Sequence, residues 1–246
     1  MSDVEVRFAV DGEEIARSVT DERGFAKAIA DVETPADRFE ATADFGGKSF
    51  RSDAEIVAWQ SDRVIVGCDI DSTISETNLG ALFFDEIDET STPIADSAEV
   101  LTEIGRDYQL LYITARPRFT LNKTRRWLDE QAYPRQPVVT SLAPRDALGQ
   151  TTYKTRTLSS LQKHYTNLLI GIGNTDIDAD SYSHHGMLVL LVQPDREAGR
   201  DGNIFRFQDW KQIRAFFLEN DGVLRHPQRL RAAIRGEAEL RLPETH

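Results

Sequence analysis

Between Val64 and Gln193 the sequence carries a series of short, unbroken apolar runs: VIVG, YQLLYIT, PVVTS, NLLIGIG and MLVLLVQ. A strand with one face in water alternates apolar and polar residues, whereas a run without alternation is buried on both faces. Between the runs lie stretches of helical periodicity, at Asp96–Asp107, Thr120–Tyr133 and Lys154–Tyr165. This alternation of buried strand and helix predicts a doubly wound α/β domain, a parallel sheet covered by helices, over residues 63–218.

The residues before it follow a different pattern. Val4, Val6, Phe8 and Val10 alternate with polar residues, as do Phe39, Ala41, Ala43 and Phe45. The turn signals DGEE, DERG, TPAD and FGGK lie between such runs. Short strands so punctuated predict a small all-β sandwich over residues 1–62. After the α/β region, residues 219–246 read as a C-terminal helical tail. Within it, RHPQRLRAAIR carries Arg225, Arg229, Arg231 and Arg235 with no acid between them. A solvated helix face is the commoner explanation of such a segment; contact with an anionic membrane is the sharper one.

Composition narrows the partners. The chain of 246 residues has a formal net charge of -12, which would repel a nucleic-acid backbone, so no nucleic-acid partner is expected. Cys68 is the only cysteine, so neither an intramolecular disulfide nor a cysteine-based zinc cluster can form within the chain. The start MSDVEVRFAV lacks a basic region followed by an apolar core, and no apolar run is long enough to span a bilayer. A cytoplasmic protein is expected, peripheral to a membrane if the tail meets lipid.

The apolar run RVIVG ends in CDIDSTIS, which sets Asp69 and Asp71 one residue apart at the end of a buried strand. Burying a carboxylate is costly unless a cation or hydrogen bonds meet it, and a neighbouring carboxylate raises the cost. In open α/β sheets the chemistry sits beyond the carboxyl ends of the strands. At the ends of the later runs stand Thr114 and then Asn174, with Asp176, Asp178 and Asp180 just after; Lys154 opens the helix before the latter run.

This set resembles the motifs of the haloacid dehalogenase superfamily. Its first motif, D-x-D-x-T, is matched by Asp69-Ile70-Asp71-Ser72-Thr73, and its strand-ending Ser or Thr by Thr114 in YITARP. Its lysine is matched by Lys154, and its final acidic pair by the region after Gly173, where Asn174 replaces the first acid. That replacement resembles the narrower lipin-type phosphatidate phosphatase group, whose last motif runs G-N-R-x-T-D-x-x-S-Y. GNTDIDADSY keeps Gly173, Asn174, Asp178, Ser181 and Tyr182 at that spacing, without the Arg and with Ile177 in place of Thr. TISETNLG, KTRRWL and YKTRTLSSL resemble further segments of the same group. The N-terminal stretch from Val19 to Phe50 is similar to bacterial immunoglobulin-like or transthyretin-like domains.

The resemblance implies a phosphatase that acts through an aspartyl-phosphate. Asp69 would be the nucleophile, Asp71 the general acid and base, and Lys154 and Thr114 the groups that offset and hold the phosphoryl charge. Ser72, Thr73, Ala115 and Arg116 would line the substrate. A Mg²⁺ ion would be held by Asp69, Asp178 and the backbone carbonyl of Asp71, with Asn174 in support. For Arg116, binding the substrate phosphate and capping the following turn stand equal. Lys163 is a weaker rival to Lys154. Asp176 and Asp180 read as exposed or supporting acids, His184 and His185 as loop residues, and Trp210 as core. Only 43 positions separate Asp71 from Thr114, which leaves no room for a large cap domain. An open site suits a lipid phosphate such as phosphatidate, and the apolar NLGALFF could line it. A soluble phosphate monoester such as a nucleotide is the alternative. So is a phosphatidate-binding module without activity, which the presence of both Asp69 and Asp71 opposes.

Overall fold

The computed structural model describes residues 2–30, 38–55, 57–77, 91–141 and 150–243. NLGALFF lies outside these residues. The chain divides into two compact units, Met1–Trp59 and Gln60–His246.

In the first unit, β1 (Glu5–Val10), β2 (Glu13–Val19), β3 (Arg38–Phe45) and β4 (Lys48–Glu55) form one antiparallel sheet in the order β2-β1-β3-β4. Asp11 and Gly12 turn β1 into β2 with positive φ at both residues, and Gly46 and Gly47 do the same between β3 and β4. Such turns match the natural twist of a hairpin. Val6, Phe8 and Val10 pair with Ala43, Ala41 and Phe39, so one face is apolar, and Phe8 stacks on Phe39 at 5.8 Å. The all-β expectation holds, but the expected sandwich does not appear among the described residues. A sandwich needs two facing sheets, and here every described strand of the unit joins the same one. Asp21–Ala30, which follows β2, is irregular; Asp21 accepts from the backbone N–H of Arg23 and Phe25.

The second unit begins with β5 (Ile65–Cys68) and the small pair β6 (Ser75–Thr77) and β7 (Ser91–Pro93). Then come α1 (Ser97–Asp107), β8 (Gln109–Pro117), a 3-10 turn at Arg118–Thr120, α2 (Leu121–Glu130) and β9 (Val138–Ser141). Next are α3 (Gln150–Gln162), β10 (Leu168–Gly173), α4 (Asp176–His184), β11 (Leu188–Val192), β12 (Gly199–Asp201) and β13 (Ile204–Phe207). The chain closes with α5 (Trp210–Glu219), α6 (Asp221–Leu224) and α7 (Pro227–Ile234).

The seven-stranded sheet has the order β12-β13-β11-β10-β5-β8-β9, and all its pairs are parallel except β12 with β13. From β5 the chain winds outward through β8 to β9, then crosses back to build β10 and β11 on the other side. The order therefore reverses between β5 and β10, and a crevice opens there beyond the strand ends. Each strand of the sequence reading is present, with β9 at the sheet edge only half-buried over most of its length, and this is the expected doubly wound α/β architecture.

Residues 219–246, expected as a C-terminal helical tail, fall within this unit. Leu224, Leu230, Ala233 and Leu240 are buried in the same core as Val66, Leu190 and Phe216. No helix among the described residues is long and apolar enough to cross a membrane.

Candidate active site

β5 stops at Cys68, but the Asp69 N–H still reaches Ile172 O on β10 at 2.9 Å, so the nucleophile candidate is held at the crevice by sheet pairing. The chain then folds tightly. Ile70 O accepts from the N–H groups of Thr73, Ile74 and Ser75, and Ser72 takes a left-handed φ of 60°. Two buried rings pin this turn from behind: Trp210 Nε1 donates to Thr73 O at 3.0 Å, and Tyr133 OH to Ile74 O at 2.7 Å. Trp210 is core, as expected, but its indole nitrogen also anchors the turn that carries Asp71.

Asp69, Asp71, Ser72, Ala115, Lys154, Asn174, Thr175 and Asp178 line one cavity of about 170 Å³. Lys154 Nζ donates to Asp69 Oδ1 at 2.7 Å and to Asp178 Oδ1, all three side chains being buried. Thr73 Oγ1 stands 3.1 Å from Asp69 Oδ2 and 3.2 Å from Asn174 Oδ1, so its one proton can serve either.

Asp178 is fixed by its helix start. Its Oδ2 accepts from the N–H of Asn174 and of Thr175 and from Thr175 Oγ1, while Thr175 Oγ1 accepts from the Asp178 N–H. This is a capping box, with an acid in place of the usual Glu or Gln. Of the neighbouring acids, Asp176 pairs with Arg196 at the surface and Asp180 is exposed; neither lines the cavity. His184 and His185 lie at the far end of α4, and Lys163 is exposed beyond α3.

Asp71 faces different partners. Thr114 Oγ1 donates to its Oδ2 at 2.9 Å. Arg116 donates from Nε to both carboxylate oxygens at 3.0 and 3.2 Å, and from Nη2 to Oδ1 at 2.8 Å. Thr114, expected to hold the phosphoryl group, and Arg116, expected either to bind the substrate phosphate or to cap the following turn, both donate to Asp71.

The electrostatics follow from this arrangement. Burial pushes the Asp69 carboxyl up to about 7; Lys154 pulls it back, while Asp178 and Asp71 repel a further charge. Burial also opposes a charged Asp178, but Lys154 and the Thr175 donors outweigh it and hold this carboxyl below its ordinary value. The two acids share one lysine, yet Asp178 has several added donors where Asp69 has the shared Thr73 hydroxyl. Lys154 loses water on burial, but Asp69 and Asp178 hold its ammonium above its usual range.

Among the described residues lining this pocket and their ion-pair partners, three carboxylates stand against the two charges of Lys154 and Arg116. A proton on Asp69 or a bound cation would supply the balance. The oxygen donors of Asp69, Asp178 and Asn174 suit a hard cation such as Mg²⁺. Among the described residues no three acid, His or Cys side chains close into a cage of their own, so such an ion would keep several waters.

Sequence reasoning missed Thr175, Tyr133 and Gln193, whose Nε2 donates to Asn174 O at 2.9 Å. A signal existed for the first: Thr175 and Asp178 have the spacing of a capping box.

The doubly wound sheet, with an Asp-x-Asp turn at its switch point and a lysine between two acids, defines a haloacid-dehalogenase-like α/β domain. Within that class, the chain belongs to the family described as PITM 1-3, LNS2 domain, whose profile matches residues 66–189. It is 30% identical over 167 residues to the phosphatidate phosphatase PAH1 of Arabidopsis thaliana, a match covering 59% of this chain and 18% of that protein. It thus spans less than a fifth of that relative's length. Among solved structures it is similar to a chain of the Pnkp1/Rnl/Hen1 complex, with 16% identity, a TM-score of 0.44 and coverage of 54% of this chain and 47% of the other. A HAD-superfamily hydrolase of Geobacter sulfurreducens matches at 12% identity and a TM-score of 0.41, covering 61% and 97%.

Proposed function

We propose that this chain is a Mg²⁺-dependent phosphatase that hydrolyses a phosphate monoester through an aspartyl-phosphate on Asp69, and that its substrate is a lipid phosphate such as phosphatidate. The observation that carries the reading is the buried pairing of Asp69 and Asp178 on Lys154, with Asp71 at the same cavity. The phosphatidate phosphatase relative supports the choice of a lipid.

In the first half of the reaction an Asp69 oxygen bonds to phosphorus while the ester P–O bond breaks, and Asp71 gives its proton to the departing alkoxide. In the second half water attacks the aspartyl-phosphate, Asp71 takes the water's proton, and the Asp69 O–P bond breaks to release phosphate. Lys154 offsets the charge that gathers on Asp69 and the phosphoryl oxygens. Asp69, Asp178 and the Asp71 carbonyl, with Asn174 beside them, would hold Mg²⁺, which when bound would reduce the repulsion between the nucleophile and a phosphate dianion.

The test is a phosphatase screen with added Mg²⁺, comparing phosphatidate in mixed micelles with water-soluble mononucleotides. Turnover of phosphatidate, lost with chelator and abolished in a folded Asp69→Asn variant, is expected. Preference for a mononucleotide would replace the lipid reading. Binding of phosphatidate without turnover would replace the enzyme by a recognition module.

A further inference from the structure

We propose that Arg116 is a positioning residue for the proton-transfer group Asp71 and is not a phosphate anchor; this rests on the phosphatase reading above. The placement of its guanidinium carries the inference. The Arg116 side chain is fully enclosed, while Asp71 retains some exposure. Asp71 and Ala115 line the cavity, but Arg116 does not. Asp71 therefore stands between the guanidinium and any bound phosphate.

The partners of Arg116 leave it little freedom to turn. Nε and Nη2 grip both oxygens of Asp71, and Nη1 donates to the buried Thr124 Oγ1 at 3.2 Å. The Arg116 backbone N–H donates to Thr114 Oγ1 at 3.1 Å, and the Thr114 hydroxyl in turn donates to Asp71 Oδ2. One strand segment thus supplies a rigid fork and a directed hydroxyl to the same carboxylate. A buried ion pair without its partner is strongly unfavourable, so Arg116 cannot leave for the substrate without stranding Asp71. Lysine cannot replace this fork, because an ammonium is a point charge and does not match both oxygens in one plane.

The consequence is specific to proton transfer. A misaligned Asp71 delivers its proton poorly to an alkoxide, but p-nitrophenolate departs without one. The test compares an alkyl phosphate with p-nitrophenyl phosphate in the parent and in Arg116→Lys, by steady-state and rapid-mixing kinetics. The variant should lose about 100-fold or more in kcat on the alkyl ester, the scale of general-acid catalysis. With p-nitrophenyl phosphate it should keep a burst of p-nitrophenolate at nearly the parent rate, followed by slow turnover, because attack by water still needs Asp71. KM should change little for the alkyl ester and fall for p-nitrophenyl phosphate, because the slowed second step lets the aspartyl-phosphate accumulate.

A KM rise of tenfold or more for both esters, with kcat held, would overturn the proposal in favour of a phosphate anchor. Equal slowing of both first steps, or no change, would also overturn it. If Arg116→Lys does not fold, Thr124→Val removes only the hydrogen bond at Nη1 and should show the same contrast between esters at smaller size; its absence there counts against the proposal equally. A parent that cleaves neither ester with Mg²⁺ sinks the phosphatase reading and this role with it, whereas a competent parent with the wrong contrast sinks only the role of Arg116.

Discussion

Asp69 and Asp178 both touch Lys154, yet their surroundings drive their protons in opposite directions. The folded value of Asp69 is about 7 against an ordinary 3.8, so between those limits the folded state holds a proton that the unfolded chain has lost. Stability from this group is therefore present at the acid end and lost as pH rises through the window. Asp69→Asn cannot ionise, so its melting temperature relative to the parent should climb from pH 4 to pH 7, both measured in chelator. A constant difference would show that Asp69 ionises there as it does in water. Asp178 should decide metal affinity: as a buried ligand candidate, Asp178→Ala should raise the Mg²⁺ requirement of turnover by roughly tenfold or more. Asp176→Ala and Asp180→Ala should change it far less, and a Mg²⁺ titration of initial rates that ranks either above Asp178 would put the metal elsewhere. Most of the residues around this lysine were legible because they fall at the ends of apolar runs or in the loop after one. The contacts of Arg116 and Thr114 with Asp71 were not, because a strand-end Arg reads alike whether it faces a substrate or its own neighbour.

The elements around the site are bound to it by close approach. A Cβ on Gly171 of β10 would come within 2.3 Å of the Tyr182 ring, and one on Gly173 within 2.5 Å of the Asp178 side chain. Gly171→Ala must displace a buried ring of α4 and should destabilise by about 1–3 kcal/mol, the usual cost of overpacking. Urea unfolding would measure this, and an unchanged midpoint would mean that α4 shifts freely. Thr175→Ala removes both the cap of α4 and a donor to Asp178, and should cost about 1 kcal/mol in the same assay. Parallel strands were easy to read, since burial on both faces leaves no polar residues to break the run. β13 was not: Phe205 and Phe207 are buried, but Arg206 between them is half-exposed, and four residues of broken pattern give no clear signal. The N-terminal alternation correctly reported strands with one apolar face, but alternation alone cannot count the sheets those strands form.

In the second unit as a whole, the Arg-rich helix and the cavity lined by Asp69, Asp71 and Asp178 lie at opposite ends of the strands. Arg231 donates to Thr166 O at 2.8 Å, just before β10 begins, whereas the cavity opens after it ends; β10 has six residues, about 20 Å at roughly 3.3 Å each. Several of the arginines also have partners, Arg225 with Asp107 and Asp221 and Arg235 with Glu237. The sequence showed no acid within the segment, but folding brings acids to it from either side. Changing Arg229, Arg231 and Arg235 together to Gln should therefore leave kcat and KM on a soluble ester within about twofold of the parent, in keeping with surface changes away from packed features. A larger loss would tie the two ends of the sheet together. The separation also gives the molecule a practical polarity. A covalent linker joined at the exposed Arg229 position would hold this unit by the end of the strands away from the crevice, so that immobilisation there need not obstruct the mouth of the crevice.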